Sequence, residues 1–130
     1  VKEKKYFLII EDDSTMRKAF SLLLKGKGRR VVEAKSGYEA EKLLKSRTFD
    51  LVITDLFLGD DISGLDIYQK HHMRMPVLIV TGFGESVLAE EARRVAGRYY
   101  LEKPFSMENF SALVTEMTNM IQRKGGKNEK

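Results

Sequence analysis

Phe49-Asp50-Leu51-Val52-Ile53-Thr54-Asp55-Leu56 is the stretch on which the reading of this chain turns. Leu51, Val52 and Ile53 form a short apolar run rich in β-branched residues, the pattern of a strand buried on both faces. A carboxylate, Asp55, stands where the run ends. Ligands of parallel α/β sheets bind at the carboxyl ends of the strands, so an acid placed there is a candidate for chemistry if other strands bring partners to it.

Other apolar runs flank this one. Tyr6–Ile10 is followed at once by Glu11-Asp12-Asp13, and Met16, Ala19, Phe20, Leu23 and Leu24 then recur at helical spacing up to Gly26 and Gly28. Val31 and Val32 mark a short strand. Ser36 and Glu39 have the spacing of a capping box, opening a helix whose stripe is Ala40, Leu43 and Leu44. Past Asp55, Gly59-Asp60-Asp61-Ile62-Ser63-Gly64 is a loop by composition, with a thinly patterned helix after it at Leu65–His71. Pro76 opens a strand at Val77–Val80, which Thr81-Gly82-Phe83-Gly84 ends. Leu88, Ala92, Val95 and Ala96 predict a helix, and Arg98–Leu101 a last strand running into Glu102-Lys103-Pro104-Phe105. Ser106 is placed to cap a helix striped by Phe110, Leu113, Val114, Met117 and Ile121. Five strands alternating with five helices predict an α/β fold: a doubly wound parallel sheet with helices on both faces.

The 130 residues suit one domain, expected over 1–123, with 124–130 a flexible tail or truncated linker because Gly125-Gly126-Lys127-Asn128 has nothing to bury. Val at position 1 suggests a trimmed start. With no cysteine there is neither disulfide nor thiolate chemistry, and no apolar run is long enough to span a bilayer. A cytoplasmic location is the expectation. The net charge of +4 is read as solvation by terminal lysines (Lys2, Lys4, Lys5, Lys124, Lys127 and Lys130), so no direct nucleic-acid binding by this domain is expected, and no membrane contact.

In such a sheet all strand ends share one edge. The first strand brings Glu11, Asp12 and Asp13, the third Asp55, the fourth Thr81 and the fifth Lys103. Crowded carboxylates repel, which raises a pKa or calls for a cation, and Mg²⁺ is the hard, oxygen-preferring ion that suits them. One carboxylate could then accept a phosphoryl group, with a hydroxyl and an ammonium beside it to hold the phosphoryl oxygens.

Asp12-Asp13, Asp55, Thr81 and Lys103-Pro104, in that order at those strand ends, resemble a response-regulator receiver domain over about Tyr6 to Ile121. Thr81-Gly82-Phe83-Gly84 and Tyr100-Leu101-Glu102-Lys103-Pro104-Phe105 resemble receivers of NtrC-type regulators. The resemblance implies a flavodoxin-like strand order 2-1-3-4-5 and a two-component switch rather than a conventional enzyme. It implies Asp55 as phosphoacceptor and Mg²⁺ on Asp12, Asp13, Asp55 and the backbone carbonyl of Phe57. Thr81 becomes the switch hydroxyl, Lys103 the phosphate's counter-ion on a cis Lys103–Pro104 peptide, and Tyr100 the aromatic whose rotamer reports activation. Its implied partners are a sensor histidine kinase and an output domain or partner protein. Homodimers would form through the fourth helix, fifth strand and fifth helix. At the pocket mouth, Phe57 and Phe83 cannot orient a water, which implies slow loss of the phosphoryl group, while Gly82 leaves room for a kinase histidine. The chain departs from the family at Leu58-Gly59, where Met-Pro or Leu-Pro is common, and in a loop to Gly64 one residue longer.

Singly, each residue has an ordinary explanation: Asp12 or Asp13 as a helix cap, Thr81 as a strand end, Lys103, His71 and His72 as surface residues, Met73 and Met75 as packing. The conjunction carries the reading. Two other function classes remain: a Mg²⁺-dependent phosphohydrolase with an aspartate nucleophile, in which Phe57 stands where a general acid is wanted, and a degenerate receiver that only binds proteins. A nucleotide- or flavin-binding domain would want a glycine-rich phosphate loop, and none is present.

Overall fold

The computed structural model describes residues 4–26, 28–82 and 84–128. β1 (Lys5–Ile10), β2 (Arg29–Ala34), β3 (Leu51–Thr54), β4 (Val77–Thr81) and β5 (Tyr100–Glu102) form one parallel sheet in the order β2-β1-β3-β4-β5. Between them run α1 (Ser14–Leu24), α2 (Gly37–Ser46), α3 (Gly64–His71) and α4 (Val87–Ala96), and α5 (Met107–Asn128) closes the chain. The predicted architecture and strand order are those observed.

Strand alternation builds two cores. Phe7, Ile9, Leu51, Ile53, Leu78 and Val80 face one side and meet Phe20 and Leu24 of α1 and Phe110, Val114 and Met117 of α5. Leu8, Ile10, Val52, Val77 and Ile79 face the other and meet Ala40, Leu44, Ile67, Ala89 and Ala92 of α2, α3 and α4. Successive side chains of a strand point to opposite faces, so a continuous apolar run is what a sheet covered on both sides demands.

The helix starts follow capping chemistry, with two adjustments. Ser36 Oγ accepts from Glu39 N at 3.0 Å, but the Glu39 carboxylate reaches back to Lys35 N at 2.8 Å, one residue beyond the cap. A full capping box occurs instead at α3, where Ser63 and Asp66 satisfy each other's backbone N–H groups. Its acid, at the third helical position, is Asp66 rather than the commoner Glu or Gln. β5 begins two residues later than predicted, because Gly97–Tyr99 forms a 3₁₀ turn after α4. α5 continues past Arg123 to Asn128, and its last buried residue among those described is Thr118.

His71 corrects the sequence reading. It is 3% exposed, with Nε2 2.9 Å from Glu41 Oε1 and Nδ1 2.9 Å from Arg74 Nη2. A guanidinium can only donate, so Nδ1 is the acceptor and Nε2–H donates to Glu41. The partner that buries this imidazole lies thirty residues away on α2, which no local spacing could reveal. Met75 packs in the core, whereas Met73 is solvent-exposed.

Candidate functional site

The site begins with register. Ile10 pairs with both Ala34 and Thr54, so Glu11 and Asp55 are each the first residue past their strands, side by side. Asp55 N donates to Ile10 O and Glu11 N to Ala34 O, both at 3.0 Å, which fixes the two backbones. Oxygens of Glu11, Asp12 and Asp55 lie within 4.8 Å of one another. Glu11 is buried, Asp55 half-buried and Asp12 exposed.

Burial, and then the Asp55 charge, push Glu11 up to about 7; the Asp13 N–H at 3.2 Å and Lys103 pull it down. Lys103 Nζ stands 3.6 Å from Glu11 Oε1 and 3.9 Å from Asp55 Oδ2. Its backbone is held beside β4, where Lys103 N donates to Thr81 O at 2.8 Å; the Lys103–Pro104 peptide is cis. Thr81 is buried at the end of β4, paired with Glu102 just before the lysine.

Asp13 is placed elsewhere. Its carboxylate caps α1, accepting from Met16 N at 3.0 Å, and it does not belong to the carboxylate cluster. Of the predicted Asp12–Asp13 pair, the structure brings Asp12 beside Asp55, together with Glu11. A signal existed in the sequence: Glu11 follows β1 by the same single step that Asp55 follows β3.

Asp55 Oδ1 accepts from Leu56 N at 2.6 Å and Phe57 N at 3.4 Å, which leaves Oδ2 as the oxygen turned to Lys103. Gly64 packs behind it so closely that a Cβ there would lie 2.2 Å from the Asp55 carbonyl oxygen. Gly59 has φ +78°, a conformation closed to proline, and a Cβ on it would lie 3.3 Å from Asp12 Oδ2. The departure from the common Leu-Pro pattern therefore gives the loop a different route past the acids. Three carboxylates with oxygens within 4.8 Å of one another are a donor set suited to a hard divalent cation that keeps part of its water.

At the mouth, Phe57 is 50% exposed and Gly82 borders open space. Phe83 lies outside the described residues. Tyr100 is half-buried at the edge of the sheet, its hydroxyl enclosed without a hydrogen-bond partner among the described residues and its ring 5.6 Å from the Arg93 guanidinium. Burial raises the pKa of that hydroxyl.

Comparison with known proteins agrees with this geometry. The family model for the response regulator receiver domain matches residues 7–115. Among curated proteins, the alginate biosynthesis transcriptional regulatory protein AlgB of Pseudomonas putida is 35% identical over 118 residues, covering 88% of this chain and 26% of that protein. The transcriptional regulatory protein ZraR of Escherichia coli O157:H7 is 33% identical over 107 residues, covering 81% of this chain and 24% of that protein. The chain thus spans about a quarter of the length of these relatives. A receiver-domain crystal structure from Clostridium thermocellum superposes with a TM-score of 0.77 at 28% identity, covering 91% of this chain and 97% of that one. With the strand order, the carboxylate cluster and the lysine in place, the chain belongs to the response regulator receiver domain family.

Proposed function

We propose that this domain is a phosphorylatable switch whose acceptor is Asp55, fed by a sensor histidine kinase and read by an output domain or partner protein. The observation that supports it most directly is the gathering of Glu11, Asp12 and Asp55 at one edge of the sheet, with Lys103 beside Glu11 and Asp55. Asp55 Oδ2 attacks phosphorus, an O–P bond forms, and the donor's P–N bond breaks with its electron pair returning to the imidazole. Lys103 holds a phosphoryl oxygen as charge moves onto the group, and Thr81 moves its hydroxyl toward another. Asp12, Asp55 and the Phe57 carbonyl, with Glu11 beside them, would hold Mg²⁺, which when bound supplies neutralising charge for the transfer.

Tyr100 opens β5 and Lys103 directly follows it, between α4 and α5, so these elements form the output face and the surface for homodimers. The enclosed, unpaired Tyr100 hydroxyl is what a residue with a second rotamer would leave. No structural feature favours the phosphohydrolase reading, and Phe57 brings a ring where a general acid is needed.

Acetyl phosphate with Mg²⁺ tests the reading. Intact mass should show one added phosphoryl group on the parent and none on Asp55→Asn. Stoichiometric labelling of the Asn variant would move the acceptor elsewhere. Amide exchange with beryllofluoride should change in α4, β5 and α5; a change confined to α2 and α3 would relocate the output face.

A further inference from the structure

The opposite end of the sheet holds a groove of about 540 Å³ lined by Lys25, Arg29, Arg30 and Arg47 together with Tyr6. These cations come from the end of α1, the start of β2 four residues later, and the end of α2, seventeen residues beyond Arg30. Among the described residues, none of the four is ion-paired with a carboxylate. The nearby acid, Asp50, does not line the groove, and its carboxylate accepts from Tyr6 N at 2.7 Å.

Two of the cations are held in place. The Arg47 guanidinium lies 4.6 Å from the ring centres of both Tyr6 and Phe49, and that of Arg29 lies 5.1 Å from the ring of Phe7. Stacking fixes a guanidinium plane while leaving its N–H edge free. Such a fork matches phosphate oxygens in pairs, and its ordering cost is already met in the free protein.

We propose that this groove binds a compact polyphosphate, either inorganic or the phosphate chain of a nucleoside triphosphate. Its volume equals that of a sphere about 10 Å across, and its lining carries four cationic side chains, enough charge to neutralise one small polyanion. Duplex DNA is a poorer match, since even a single DNA-binding module buries roughly 600 Å² or more of protein surface. Tyr6 is already covered by Arg47, so recognition runs through phosphate rather than through stacking of a base. The groove lies at the amino ends of the strands, away from Asp55, and its occupancy does not depend on phosphorylation.

Calorimetric titration of the whole chain in magnesium-free buffer tests this, with tripolyphosphate, ATP, orthophosphate and a DNA duplex as separate arms. Tripolyphosphate should bind saturably and orthophosphate about tenfold or more weakly. ATP binding as well as tripolyphosphate assigns the site to the phosphate chain of either source; ATP binding better assigns it to nucleotides. Arg29→Gln/Arg47→Gln should lose about tenfold or more in affinity, and Asp55→Asn should bind as the parent does. Should the double variant lose its native circular dichroism, Lys25→Gln/Arg30→Gln replaces it, because both side chains are exposed. No saturation, equal binding by parent and groove variants, or tighter binding of the duplex than of tripolyphosphate each overturns the proposal.

Discussion

The carboxyl end of the sheet gathers Glu11, Asp12 and Asp55 around one lysine, while the amino end gathers Lys25, Arg29, Arg30 and Arg47 around no acid among the described residues. The acidic end is tight: Glu11 is 3% exposed, and Gly64 leaves no room behind Asp55. The basic end is open, with Lys25, Arg30 and Arg47 exposed and two guanidiniums resting on rings. Charges buried together raise one another's free energy and wait for a counter-ion, whereas charges spread over a wet groove stay ionised at little cost. The same count of charges therefore has different consequences at the two ends.

That contrast is most easily broken at Gly64. Gly64→Ala should destabilise the fold by about 3 kcal/mol, the upper range for overpacking, because the new Cβ meets backbone rather than a mobile side chain. Chemical denaturation measures it, and a loss below 1 kcal/mol would show that the acidic end yields.

Glu11→Gln comes next. A pKa raised to about 7 means that the folded chain holds this proton more tightly than the unfolded one, so the stability Glu11 contributes is full at low pH. It is lost as pH rises through about 7. The variant should be more stable than the parent at pH 8 in magnesium-free buffer, by on the order of 2 kcal/mol, and no more stable at pH 4. A pH-independent difference would contradict the burial argument.

At the basic end the same kind of change should cost less. Arg47→Ala removes one exposed guanidinium from two rings and should lower stability by roughly 0.5–1 kcal/mol at any pH between 5 and 8. A larger loss would mean that the groove is structural. The smallest effect is kinetic: Phe57→Asn, which gives the pocket mouth a group able to orient water, should speed loss of the phosphoryl group about twofold, roughly 0.4 kcal/mol of barrier. Decay after donor removal, followed by mass, decides it, and an unchanged rate would show that a half-exposed ring does not gate water.

The sequence by itself determined the five strands, since apolar runs such as Leu51–Ile53 and Val77–Val80 can only be satisfied by a sheet covered on both faces. It also determined that Asp55 and Lys103 follow two of those strands and that Thr81 ends a third, because a residue at a strand's end has one place to be. Tertiary structure decided which neighbouring acid faces Asp55, where the sequence offered only the matching single step past β1 and β3. Glu11, Asp12 and Asp13 are adjacent in the chain, but parallel register sets Glu11 beside Asp55, and α1 takes Asp13 as its cap. His71 shows the same limit: α3 predicts its position, but only the packing of α2 supplies Glu41 to bury it. The net charge was legible as a number and not as a place. Terminal lysines suggested solvation, yet Lys25, Arg29 and Arg47 become one groove only because β2 flanks β1 and α2 ends beside the start of both. Periodicity reports which face a residue takes on its own element; distance between elements is set by packing, and that is where both ends of this sheet acquire their chemistry.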